Sequence, residues 1–134
     1  MLNGLNHITY VVRDLDTSYN FYTKVLGMKP KAKWKTGAYL SLGNLWFCLN
    51  VDDSHASVDY SHVAFDILQS DFLDFETRVK EANVKIWKEN TSEGNSLYIL
   101  DPDNHKLEIH VGCLQTRMDS METHALKNSS FIES

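Results

Sequence analysis

Two histidines stand in matching surroundings 55 residues apart. Asn6-His7-Ile8-Thr9-Tyr10-Val11 and Ser61-His62-Val63-Ala64-Phe65-Asp66 share one pattern, each read as a strand that opens on an imidazole. A lone strand histidine is most simply a satisfied core or rim residue. Two at repeat-equivalent positions, brought toward the axis between the repeats by a pseudo-twofold relation, would serve a divalent metal equally well. Glu108 is the third candidate. In Lys106-Leu107-Glu108-Ile109-His110-Val111, strict alternation puts Leu107, Ile109 and Val111 on one face and Glu108 with His110 on the other. On its strand alone Glu108 reads as an ordinary solvent-facing glutamate. Joined to His7 and His62, it would complete a set of two imidazoles and one carboxylate. Such a set leaves coordination positions open for an oxygen-bearing substrate, as in centres that do chemistry rather than hold a fold. The corresponding stretch of the first repeat, Leu45-Trp46-Phe47-Cys48-Leu49, has no carboxylate, so the symmetry is broken there.

A second cluster lies between Trp87 and Tyr98, where Asn90, Thr91, Ser92, Glu93, Asn95 and Ser96 surround Gly94. Small hydroxyls and amides around a glycine make a tight polar loop. Its oxygens could hold a cation and its donors an anion, although a solvated surface loop has the same composition. Lys88, Tyr98 and Arg117 would offer donors to a phosphate-like or carboxylate group if the fold gathers them. Cys48 reads as a buried core thiol beside Trp46, because no basic residue near it in sequence would activate it. His55, His105, His110 and His124 receive no role, and Asp103-Asn104-His105 is most simply a hairpin tip.

These side chains need elements to hold them. After the first histidine strand, Asp14-Leu15-Asp16 supplies capping chemistry. Leu15, Tyr19, Tyr22 and Leu26 then recur at helical spacing until Gly27. After the second, Phe72, Phe75, Val79 and Ala82 repeat the pattern, with Asn83 as the stop. Strand-like runs follow each helix: 38–42 and 45–51 around Gly43-Asn44, then 96–100 and 106–111 around Asp101-Pro102-Asp103-Asn104. The expected fold is α+β, built from two βαβββ modules. The first spans residues 1–53, a polar linker 54–59, the second module 60–115, and a tail without assignable chemistry 116–134. A unit of about 50 residues with one amphipathic helix cannot bury both helix and sheet faces alone, so the modules are expected to pair within the chain or across a homodimer.

Composition bounds the function class. The chain has 134 residues, 43% hydrophobic and 23% charged, with 2 prolines and 6 glycines, which is the profile of one compact soluble domain. Its two cysteines imply no disulfide framework and fit a reducing compartment. Thirteen basic against eighteen acidic residues give a net charge of -5 without a basic block, and no apolar run approaches the ~20 residues of a membrane span. Nucleic acid and membrane are therefore excluded as expected partners, and a cytoplasmic location is expected.

Four stretches together carry a resemblance. They are Gly4-Leu5-Asn6-His7-Ile8-Thr9, Asp59-Tyr60-Ser61-His62, the Trp87 to Gly94 loop, and Leu100-Asp101-Pro102-Asp103-Asn104-His105-Lys106-Leu107-Glu108-Ile109-His110-Val111-Gly112. With Tyr39, Trp46 and Arg117 added, the chain resembles the FosA-type fosfomycin-resistance glutathione transferases of the vicinal oxygen chelate superfamily. That superfamily also holds glyoxalase I, extradiol dioxygenases and bleomycin-binding proteins. The resemblance runs from residue 1 to about 117 and implies manganese ligands at His7, His62 and Glu108. His7 of one chain would complete a site with His62 and Glu108 of the other. It further implies a potassium loop of Asn90, Ser92, Glu93, Gly94 and Ser96, and a phosphonate grip by Lys88, Ser92, Tyr98 and Arg117. Trp46 would wall the pocket, Thr9 would lie beside the reacting oxirane and Tyr39 would face the incoming thiol. The implied activity is Mn(II)- and K+-dependent addition of glutathione to fosfomycin. Alternatives are a transferase using L-cysteine or bacillithiol, a fosfomycin hydrolase, and a drug-sequestering binding protein. Val63 departs from relatives that carry an aromatic residue after the metal histidine.

Overall fold

The computed structural model describes residues 1–91 and 93–123, so Ser92 and residues 124–134 lie outside the described residues. The first module runs β1 (His7–Val12), α1 (Leu15–Asn20), β2 (Lys29–Trp34), β3 (Gly37–Leu42) and β4 (Leu45–Val51). The second repeats the order with β5 (Val63–Asp66), α2 (Gln69–Glu81), β6 (Ile86–Lys88), β7 (Ser96–Leu100) and β8 (Lys106–His110), followed by α3 (Leu114–Thr123). Each module is a four-stranded sheet, ordered β1-β4-β3-β2 and β5-β8-β7-β6, in which β1 runs parallel to β4 and β5 to β8. The expected α+β architecture of two βαβββ units is what the chain forms.

Local chemistry explains the helices. The Asp14 side chain accepts from the Thr17 amide at 3.1 Å, capping α1 as the sequence suggests. The helix does not continue as α to Leu26. Residues Phe21–Val25 form a π-helical turn, with the Leu26 amide bonding the Phe21 carbonyl at 3.1 Å, before Gly27 takes φ +78° and ends it. The i, i+4, i+7 spacing could not signal this widening, because Phe21 and Tyr22 remain buried through it. Asn83 follows α2 at φ +55°, a conformation its short amide tolerates. The stretch 114–123 shows no apolar stripe because α3 buries none of its residues. Its start is marked instead by Thr116, whose hydroxyl accepts from the Cys113 amide at 2.9 Å.

Period-two alternation gives each sheet a closed and an open face. Closed-face residues Leu40, Phe47, Leu49, Phe65, Ile99, Leu107 and Ile109 form one core drawn from both modules together with the helical residues Tyr22 and Val79, and the Phe47 and Phe65 rings lie 6.2 Å apart. The open face of the first sheet sets His7 beside Trp46, Thr9 beside Cys48, and Cys48 beside Tyr39. That of the second sets Ala64 beside Glu108, Glu108 beside Tyr98, and Ser96 beside His110.

A polar clasp joins the modules at the 101–105 hairpin. Asp101 is buried; its Oδ1 accepts from the amides of Asp103 and His105 at 2.9 and 2.8 Å, and its Oδ2 from the Tyr22 hydroxyl at 2.7 Å. Burial nevertheless lifts the Asp101 carboxyl above its ordinary range, the donors opposing this only in part. Burial beside Asp101 likewise pushes the Tyr22 phenol well up and the Tyr10 phenol to about 12. His105 stacks on Tyr10 at 4.5 Å and its Nε2 lies 2.8 Å from the Val11 carbonyl. The stretch Asp103 to His105 is thus a hairpin tip, as expected, and also the contact through which the second module grips the first.

Candidate functional site

The open face of the second sheet brings His62 and Glu108 together. His62 immediately precedes β5, and its Nδ1 lies 2.8 Å from the Tyr60 carbonyl. A carbonyl can only accept, so Nδ1 carries a proton. The opposite nitrogen, Nε2, lies 3.0 Å from Glu108 Oε1, a distance at which a ring proton on Nε2 makes a charge-assisted hydrogen bond. Glu108 is 8% exposed, and its other oxygen accepts from the Ser96 hydroxyl at 2.7 Å. When the ring gives up that proton, a nitrogen lone pair and a carboxylate oxygen converge in a part-buried place, an arrangement that a cation can bridge. The donor set, one imidazole nitrogen and one carboxylate oxygen, suits Mn(II) or a similar divalent ion. The buried Glu108 corrects its single-strand reading as a solvent-facing residue; alternation revealed its face but not that the sheet folds Ser96 and His62 over it.

Other predicted residues gather on the same face. Lys88 Nζ donates to the Tyr60 hydroxyl at 2.7 Å and lies 4.7 Å from both the Tyr60 and Tyr98 ring centroids. The Tyr60 contact raises the ammonium above its ordinary value, so the charge is kept. Tyr98 is buried, with its ring 5.3 Å from Trp87 and 6.3 Å from His62. In the loop, Asn90 Nδ2 donates to the Gly94 carbonyl at 2.9 Å, and Gly94 holds φ +74°. Glu93 Oε1 pairs with Arg117 Nε at 3.3 Å, so Arg117 reaches the loop carboxylate rather than the His62 and Glu108 pair.

His7, Thr9, Tyr39 and Trp46 lie on the other open face. His7 Nδ1 is 2.7 Å from Asn6 Oδ1 and its ring is 4.5 Å from Trp46, while the Tyr39 ring meets Trp46 at 5.2 Å and Trp34 at 4.8 Å. The expectation that the repeat axis brings both imidazoles together is not met within one chain. Among the described residues no three of His, Cys, Asp or Glu are arranged to hold a metal. The cause is packing: the two sheets share their closed faces in one core, which leaves the two open faces turned away from it. Register also identifies the repeat counterpart of Glu108. Ile8 pairs with Phe47 and Val63 with Leu107, so Cys48 occupies the equivalent place, flanked by Tyr39 as Glu108 is by Tyr98.

Sequence reasoning passed over three residues in this region. Tyr60 binds Lys88 and packs its ring 4.8 Å from His62; Trp87 places its ring 5.6 Å from His62; His110 touches Ser96. The signal available was spacing. Tyr60 precedes His62 by two residues, and His110 follows Glu108 by two on the same face.

Residues 4–109 match the family model of the Glyoxalase/Bleomycin resistance protein/Dioxygenase superfamily. The chain is 48% identical over 123 residues to the glutathione transferase FosA of Serratia marcescens, covering 88% of this chain and 87% of that protein. It is 37% identical over 125 residues to the metallothiol transferase FosB of Staphylococcus epidermidis, covering 88% and 90%. The crystal structure of the fosfomycin resistance protein FosX of Listeria monocytogenes with Mn(II) and sulfate superposes with a TM-score of 0.81 at 29% identity, over 90% of this chain and 99% of that one. No helix among the described residues is long and apolar enough to cross a membrane. The chain belongs to the glyoxalase, bleomycin resistance protein and dioxygenase superfamily and, within it, to the family of the FosA and FosB thiol transferases.

Proposed function

We propose that this protein is a Mn(II)-dependent, K+-activated thiol transferase that inactivates fosfomycin by adding glutathione to its oxirane ring. The observation that carries the reading is the part-buried approach of His62 Nε2 to Glu108 Oε1 beside Lys88 and Tyr98, in a chain 48% identical to FosA. His62 and Glu108 would hold the metal together with His7 of a second copy, so that the open face of one first module closes over the second module of its partner. When bound, Mn(II) supplies Lewis acidity to the oxirane oxygen and charge neutralisation to the phosphonate. Lys88, Tyr98 and Ser92 bind the phosphonate oxygens, and Arg117 joins them on leaving its contact with Glu93; the Tyr60 contact favours the charged form of Lys88. Asn90, Ser92, Glu93, Gly94 and Ser96 would hold K+, whose charge would offset that of the phosphonate. Trp46 walls the cleft and limits water, and Thr9 fixes the oxirane. Tyr39, framed by Trp34 and Trp46, orients the thiol for attack on the carbon that bears phosphorus; the C–S bond forms as that carbon's bond to the ring oxygen breaks, and the oxygen takes a proton to become a hydroxyl. No protein nucleophile takes part, in keeping with the buried position of Cys48.

The similarity to FosB metallothiol transferases supports a second thiol as the competing co-substrate, for which L-cysteine and bacillithiol are the candidates. Hydrolysis finds less support, although FosX has been solved with Mn(II) and 1S,2S-dihydroxypropylphosphonic acid. A water reaction needs a general base, and the open face of the first sheet, from His7, Thr9 and Val11 through Gly37, Tyr39 and Ser41 to Trp46, Cys48 and Asn50, carries no carboxylate among the described residues. The test is turnover of fosfomycin by metal-stripped protein with each thiol. Activity restored by Mn(II) and enhanced by K+ with glutathione is expected; restoration without any divalent metal would overturn the reading.

A further inference from the structure

We propose that His110 is a positioning residue for the metal-binding carboxylate. It holds Glu108 through Ser96 so that a single oxygen faces His62. The inference rests on the reading of His62 and Glu108 as metal ligands. Proton accounting fixes the chain of contacts. Ser96 Oγ lies 2.7 Å from Glu108 Oε2 and 2.6 Å from His110 Nδ1. A carboxylate is an acceptor only and a hydroxyl has one proton, so Ser96 donates to Glu108 and must accept from His110. The imidazole therefore carries its proton on Nδ1, which also lies 3.4 Å from Glu108 Oε2. The opposite nitrogen, Nε2, is 3.7 Å from Glu93 Oε1, the oxygen that Arg117 also approaches.

The ring is held on both sides by places where only glycine fits. A Cβ on Gly94 would collide with the Val111 carbonyl and stand 3.3 Å from the His110 ring, and one on Gly112 would stand 3.1 Å from Nε2. The His110 side chain is only 17% exposed, so its orientation is set by packing as well as by hydrogen bonds. The consequence is a carboxylate whose rotation about its last torsion is stopped. Oε2 is occupied from the interior by Ser96, and Oε1 is the oxygen left to bind. Loss of such an outer partner typically lowers metal affinity about 10–100-fold.

Two side chains separate the roles of the ring nitrogens. In His110→Asn the amide nitrogen falls where Nδ1 lay and can still donate to Ser96; in His110→Gln it falls where Nε2 lay and cannot. Binding of Mn(II) alone to metal-stripped protein, followed by the paramagnetic resonance of free Mn(II), is expected to weaken about 10–100-fold in His110→Gln and to stay within about threefold of wild type in His110→Asn. Equal weakening in both, or none in His110→Gln, would overturn the inference while leaving the metal reading intact. Wild-type protein that binds no Mn(II) would overturn the metal reading and this inference with it. A second readout needs no variant. Long-range proton–nitrogen correlation spectra of the metal-free wild type should show His110 protonated at Nδ1, and a bare Nδ1 would refute the relay.

Discussion

Replacing Tyr22 by Phe removes one hydroxyl and little else. The ring contacts with Phe21 at 5.1 Å and Phe47 at 4.7 Å are retained, while Asp101 Oδ2 loses a donor at 2.7 Å inside the junction between the modules. A hydrogen bond to a charged, buried acceptor is worth roughly 1.5–3 kcal/mol, and the carboxylate keeps only its two amide donors on Oδ1. For a domain of this length the loss corresponds to a fall in Tm of roughly 5–12 °C. The pH dependence has a definite sign. Asp101 has a folded pKa above its unfolded value, so its contribution to stability is fully present below the unfolded pKa and is lost as pH rises through the folded one. Removing the Tyr22 donor raises that folded pKa further. The cost of Tyr22→Phe is therefore greatest near neutral pH and shrinks in acid as the carboxyl protonates. Urea unfolding followed by circular dichroism at pH 7 and pH 4 measures it. A difference at pH 7 below about 0.5 kcal/mol, the size of an indifferent surface substitution, would refute the clasp, as would an identical cost at both pH values.

Glu108→Gln and His62→Ala should each abolish Mn(II)-dependent turnover while leaving the circular dichroism spectrum unchanged; wild-type turnover in either variant would remove that residue from the centre. If His7 comes from a second copy, co-refolding equal amounts of His7→Ala and Glu108→Gln restores one intact site in each mixed dimer and about a quarter of wild-type activity. Mixtures as inactive as the parents would show that the site is not shared. The raised phenols of Tyr10 and Tyr22 contribute stability that is intact below the unfolded value near 10 and lost as pH rises above it. The decline in unfolding free energy above pH 10 should be shallower in Tyr22→Phe than in wild type. Ser92→Ala should increase the K+ concentration needed for half-maximal turnover, whereas a change confined to thermal stability would leave the loop with a purely structural role.

The repeat and its alternation made much of this legible. The pattern shared by His7 and His62 marks both modules, Asp14 caps where expected, and alternation alone assigns Glu108 its face. What the sequence could not convey depends on packing between distant strands. Burial of Glu108 arises from Ser96 on β7 and His62 ahead of β5, neither of which is its neighbour in the chain. The π-helical turn at Phe21–Val25 leaves no mark in a helical period, and β2 has no buried residue to reveal it. His7 lies apart from the pair because the closed faces of both sheets share one core, a choice of partner face that alternation alone does not make. The clasp was hidden for a similar reason: Tyr22 and Asp101 are 79 residues apart, and each has a sufficient local reading, one as a helix face residue and the other as a turn residue.

Phosphorus NMR of fosfomycin incubated with metal-stripped protein, with and without Mn(II) and K+, tests the proposed reaction most directly when glutathione, L-cysteine, bacillithiol and no thiol are placed in separate tubes. A new phosphonate resonance is predicted where glutathione and Mn(II) are both present and absent where either is withheld. A new resonance without thiol, or none in any tube, would contradict the assignment of this chain as a fosfomycin thiol transferase.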